Sequence, residues 1–158
     1  MVTSQHGRDL LQQWEGFKLE AYHDSADLPT IGVGHLLKKD ELSSGKIVID
    51  GVPVKYANGL TQEQVSALLE QDLRPAEQAV NAGVKVSLNQ NQFDALVSFT
   101  FNTGNQAFTG STLLKLLNQG NYGEVPAQLR RWTRSGGKVV PGLVNRREHE
   151  ISLWNGEV

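Results

Sequence analysis

The chain has 158 residues, 39% hydrophobic and 20% charged, with no cysteine and a formal net charge of −2. This suits a globular protein with one core, or two lobes sharing a helix, and it excludes disulfides, Cys-based zinc sites and thiol chemistry. No apolar run approaches the roughly 20 residues of a membrane helix, and Gln5, His6, Arg8 and Asp9 precede any apolar run, so neither a membrane anchor nor a secretory signal is expected.

Leu10, Leu11 and Trp14 recur at helical spacing, predicting a helix over Asp9 to Trp14 that Gly16 ends. From Lys18 to about Tyr56, Tyr22, Ile31 and Val33 alternate with small or polar residues and turn formers interrupt them, predicting a β-hairpin. A further ribbon is expected from Lys46–Ile49 and Val52–Val54 around Asp50-Gly51. Thr61 is a good N-cap, and Gln64 completes a capping box for a long helix with the apolar stripe Val65, Leu68, Leu69 and Leu73. Pro75 predicts a kink or a restart, because it lacks a backbone donor and clashes one turn back. Asn89 caps the next helix, whose buried face reads Phe93, Leu96, Val97 and Phe101 up to Gly104. Ser111 caps Thr112–Asn118, a helix or helical turn follows over Tyr122 to Arg131, residues 135–137 read as a loop, and Pro141 starts a final helix.

A short helix, a small antiparallel sheet and a run of helices make an α+β pattern. The expected layout is one domain over 1–158, with a β-rich lobe at 14–60, a connecting helix at 61–82 and a helical lobe from 1–13 and 83–158. A cleft is expected beside the connecting helix.

The stretch from Trp14 to Leu36 carries the chemistry. It offers Glu15 at a helix end, Asp24 in the following turn and Thr30 entering a Gly-rich strand. Two carboxylates in different settings, with a hydroxyl, suit hydrolysis of a glycosidic bond. The helix end and flanking Trp14 and Phe17 are expected to keep Glu15 protonated as a general acid, while Asp24 stays ionised in a polar turn. Thr30 offers a hydroxyl to hold a water. A solvated helix-end carboxylate beside an ordinary turn is the plainer reading of the same spacing. The four histidines (His6, His23, His35, His149) show no metal-ligand spacing, so no metal and no cofactor is expected.

Charge is uneven. Residues 1–110 hold 8 basic and 13 acidic side chains, while residues 111–158 hold 7 and 4. The sharpest basic cluster, Arg130, Arg131, Arg134 and Lys138, reads as a solvated surface or as a contact for an anionic polymer. The negative net charge and the lack of a binding motif argue against nucleic acid.

Glu15, Asp24 and Thr30, followed by Ile31-Gly32-Val33-Gly34-His35-Leu36, resemble the signature of the phage-type lysozymes, or endolysins, of glycoside hydrolase family 24. The likeness continues through residues 61–72, 89–104 and 142–154. It implies a lysozyme-like fold and a muramidase that cleaves the β-1,4 bond between N-acetylmuramic acid and N-acetylglucosamine in peptidoglycan with inversion. The same resemblance implies Glu15 as acid, with Asp24 and Thr30 placing the attacking water. Leu36, Phe101, Asn102 and Ser111 match sugar contacts. Arg146 matches an arginine facing the acid, which would oppose the rise in the Glu15 pKa. His35 and Asp72 match a structural ion pair, and Trp132 a core tryptophan. A monomer held in the host cytoplasm until a separate holin-type membrane lesion releases it to the wall is the expected biology. A lytic transglycosylase and a non-catalytic wall-binding module are the alternatives; the Asp24–Thr30 pair favours hydrolysis.

Overall fold

Ser4 decides where the first helix begins. In a computed structural model, which describes residues 1–158, its hydroxyl accepts the Gly7 N–H at 3.0 Å, and α1 (Gln5–Glu15) starts one turn earlier than the apolar pattern implies. Gly16, at φ 69°, closes it. The chain then forms a three-stranded antiparallel sheet in the order β1 (Lys18–His23), β2 (Pro29–Gly32) and β3 (His35–Leu36). Thr30 pairs with Leu36 and Ile31 with His35 in its second hairpin. A helix the sequence did not announce, α2 (Lys39–Ser44), leads into the expected ribbon of β4 (Lys46–Ile49) and β5 (Val52–Lys55).

Thr61 and Gln64 form the expected capping box, with bonds of 3.1 and 2.9 Å, at the head of α3 (Gln62–Gly83). Pro75 lies inside this helix and does not restart it. Asn89 and Gln92 cap α4 (Gln90–Thr103) in the same reciprocal way. Short helices α5 (Asn105–Thr109), α6 (Thr112–Asn118) and α7 (Val125–Leu129) follow, with a 3₁₀ turn at Tyr122–Glu124. The segment expected as a loop is a two-stranded ribbon, β6 (Arg134–Ser135) and β7 (Lys138–Val139), before α8 (Pro141–Trp154).

The chain divides into two compact units, Arg8–Asp72 and Met1–Gly7 with Leu73–Val158. Within the first, Leu11, Ile31, Val33, Ile47, Val65 and Leu68 are buried. The Gln71 amide donates to the Val48 carbonyl at 3.0 Å and ties the second ribbon to α3. Within the second, α4 packs most extensively on α8, and Phe93, Leu96, Val97, Phe99 and Leu153 fill the core. Phe101, expected on the buried face of α4, is only half-buried, because the helix's last turn lies beyond that packing. Two buried carboxylates hold the N-terminal segment: Glu77 accepts the Thr3 N–H at 2.8 Å, and Asp94 accepts the Ser4 N–H at 3.1 Å.

Candidate active site

Asp24 organises the turn between β1 and β2 through its own side chain. Its Oδ1 accepts the N–H groups of Ala26 and Leu28, both at 2.9 Å, while its backbone N–H donates to the Leu28 carbonyl at 3.0 Å. A carboxylate in such a turn replaces backbone partners that a tight reversal cannot supply. Thr30 completes the arrangement: its hydroxyl donates to the Leu28 carbonyl at 2.8 Å. Asp24 and Thr30 therefore grip the same residue, one at its N–H and the other at its C=O. Thr30 is 1% exposed. Its proton is committed to Leu28, so toward any further partner its oxygen acts as an acceptor.

Glu15 ends α1 in the open. Glu15 is exposed, Trp14 beside it is half-buried and Phe17 is 40% exposed, so the carboxylate is not buried as the flanking aromatic residues suggested. A Cβ built on Gly34 would stand 3.7 Å from Glu15 Oε2, which places the carboxylate beside the β2–β3 turn that Thr30 enters. Gly34 has φ 67°, a conformation that itself favours glycine.

Behind the hairpin, His35 lies between two carboxylates. Its Nδ1 meets Asp72 Oδ2 at 2.7 Å, as the resemblance implied, and its Nε2 meets Glu41 Oε1 at 2.9 Å. Carboxylates only accept, so both ring nitrogens must carry protons and the imidazole is cationic. Burial works against that charge, but the hydrogen bonds and charges of Asp72 and Glu41 outweigh it and raise the His35 pKa above its ordinary value. Glu41 was not singled out by sequence reasoning; it lies in the unannounced α2 and also accepts the Lys38 N–H at 2.9 Å.

Phe101 is half-buried, and Asn102 and Leu36 are exposed. Ser111 is buried and its hydroxyl is occupied: it accepts from Leu114 N–H at 3.1 Å as the α6 cap and donates to Phe108 O at 2.7 Å. It borders a concavity of about 300 Å³ lined also by Gln128, Arg131 and Trp132. Of the basic cluster, Arg130 is already paired with Glu148 at 3.0 Å.

Arg146 is buried. Its Nε donates to Glu150 Oε2 at 3.1 Å and to Ser98 Oγ at 3.2 Å. Sequence reasoning missed the rest of this cluster. Arg147 and Glu150 are both 0% exposed and paired at 2.9 Å, and Ser98 donates to Glu150 at 2.5 Å. Burial pushes the Glu150 carboxyl up; Arg147, Arg146 and the Ser98 hydroxyl pull it back, and the net displacement is upward. The signal was present as spacings of three and four residues on one helix, Arg147–Glu150 and Arg146–Glu150.

The model of the family described as phage lysozyme matches residues 12–150. The endolysin of Salmonella phage P22 is 42% identical over 154 residues, covering 98% of both chains. The endolysin of Bacillus phage PZA is 40% identical over 157 residues, and this chain spans only 55% of its length. Among solved structures, the endolysin from Escherichia coli O157:H7 phage FAHEc1 superposes with a TM-score of 0.83 at 38% identity, covering 100% of this chain and 96% of that one. The muramidase domain of SpmX from Asticaccaulis excentricus gives 0.76 at 35%, covering 96% and 95%.

Proposed function

Because this chain belongs to the phage lysozyme family, we propose that it is an endolysin muramidase, hydrolysing the β-1,4 bond between N-acetylmuramic acid and N-acetylglucosamine in bacterial peptidoglycan with inversion. The observation that carries this reading is the shared grip of Asp24 and Thr30 on Leu28. It gives a water-activating carboxylate a fixed orientation, which a hydrolase needs and a transglycosylase does not.

Glu15 delivers a proton to the leaving sugar oxygen. Asp24 takes a proton from the attacking water as its oxygen bonds to the anomeric carbon, and Thr30 accepts the water's second hydrogen. Bond breaking leads bond making, so positive charge gathers on the sugar ring and the Asp24 anion stabilises it. Leu36, Phe101 and Asn102 offer sugar contacts, and Arg146 has a supporting role on the family's pattern. His35 and Asp72 hold the hairpin to α3 and act only through it.

No helix of this chain is long and apolar enough to cross a membrane, whereas some relatives are named SAR-endolysins, such as that of Escherichia phage Mu. Loss of turbidity by purified Gram-negative walls, with wild type but not with Glu15→Gln, tests the enzymatic reading; no loss with either protein overturns it. Proton NMR of the first-formed products tests inversion: α-anomeric reducing ends support it and β-anomeric ends overturn it.

A further inference from the structure

Glu41 is 8% exposed and is tied to three other segments of its unit. Its Oε1 accepts the Lys38 N–H at 2.9 Å and meets His35 Nε2 at 2.9 Å, while its backbone carbonyl accepts the Tyr56 hydroxyl at 2.8 Å. His35 is 7% exposed and turns its other ring nitrogen to Asp72 at 2.7 Å. We infer that Glu41 is a positioning residue for the reaction: by holding the second nitrogen of His35 it stops the imidazole from pivoting, and so fixes the β2–β3 hairpin that carries Thr30 and lies beside Glu15. The inference rests on the muramidase reading and adds to it a residue that touches none of the reacting groups.

The hairpin's own backbone holds it weakly. β3 is two residues long, and its register with β2 rests on Thr30 opposite Leu36 and Ile31 opposite His35. So short a strand supplies few ladder bonds. Asp72 by itself would be satisfied by a neutral ring donating from Nδ1, and a ring tied at one nitrogen can still swing about that bond. Glu41 also only accepts, so it demands a proton on Nε2 as well, and the ring is pinned between α2 and α3. His35 directly follows Gly34, where a Cβ would stand 3.7 Å from Glu15 Oε2, and Leu36 after it pairs with Thr30. A swing of the ring therefore reaches both the strand of Thr30 and the turn beside Glu15. Two buried carboxylates around one imidazole are a costly way to fill a core if filling were their only role, since apolar side chains avoid the desolvation.

The test compares kcat and KM on purified walls for wild type, Glu41→Ala and Glu41→Gln, each alone and in a Thr30→Val background, at a temperature well below unfolding. Glu41→Ala is expected to lower kcat by about tenfold to a hundredfold, the scale of a small misplacement of reacting groups, with KM little changed. Glu41→Gln keeps an acceptor for Lys38 and His35 and should recover most of that rate. In the Thr30→Val background the loss from Glu41→Ala should shrink several-fold, because one of the groups it places is already gone. Should Glu41→Ala fail to fold, Glu41→Asp, whose carboxylate falls one carbon short of the imidazole, must show the same fall in kcat. A folded Glu41→Ala with wild-type kcat, or a loss by the same factor with and without Thr30, overturns the inference while leaving the muramidase reading intact. A wild type inactive on purified walls overturns that reading instead.

Discussion

Glu15 and Glu150 occupy opposite surroundings. Glu15 ends a helix in the open, beside a hairpin whose turn is held by backbone bonds to Asp24 and Thr30. Glu150 is sealed in a core, hydrogen-bonded by Arg146 and Ser98 and ion-paired with Arg147. The first region leaves Glu15 exposed and Asp24 half-exposed, with Thr30 buried behind them, and holds the turn with few side chains. The second spends buried charge on geometry. Substitutions should accordingly divide: in the hairpin region they should remove activity and spare stability, and in the core cluster they should remove stability first.

The largest effect expected is on activity alone. Glu15→Gln should lower kcat by about a thousandfold, within the usual worth of a general acid, while thermal unfolding of the exposed-site variant stays near wild type. A large stability loss would break the division. Next, Glu150→Leu deprives two buried guanidinium groups of their carboxylate, and chemical denaturation should show a loss of about 3–5 kcal/mol. A neutral result would show that the cluster contributes no net stability.

Thr30→Val tests the boundary between the two behaviours, since Thr30 is buried yet belongs to the turn proposed to place the water. It removes one of two donors to the Leu28 carbonyl, which keeps the Asp24 N–H, so about 0.5–1.5 kcal/mol of stability should go together with at least tenfold in kcat. Loss of stability without loss of rate would confine Thr30 to a structural part. His35 sharpens the comparison by pH. Its folded-state pKa is raised, so its stabilisation is whole below the unfolded value of 6.5 and is lost as pH rises through the raised value. Wild type should lose stability across that window. His35→Gln should flatten that part of the curve, and a variant with an unchanged slope would contradict it. The smallest effect is at Arg130, an exposed ion pair with Glu148. Arg130→Ala should leave unfolding unchanged within error, because surface pairs gain little; a clear shift in Tm would count against this.

What sequence could reveal here was local chemistry. Thr61 with Gln64 announces a capping box, Gly16 and Pro141 mark helix ends, and the spacing of Glu15, Asp24 and Thr30 picks out the groups proposed to react. What stayed hidden depended on tertiary context. The residues of α2, Lys39–Ser44, carry no apolar stripe; Glu41 faces inward only because His35 waits there. Nothing in the sequence marks Arg147 as buried, because charge is normally solvated, and only the packing of α8 on α4 buries it. Pro75 reads as a break, yet α3 runs on to Gly83 because neighbouring turns and packing tolerate one missing donor.

The central claim is that Asp24 and Thr30 direct a water, so the oxygen of that water must enter the product. Peptidoglycan digested in oxygen-18 water and read by mass spectrometry tests this most directly. The account predicts reducing N-acetylmuramic ends carrying one heavy oxygen, abolished with Glu15→Gln and sharply reduced with Asp24→Asn. Anhydromuramic ends without the label would contradict it.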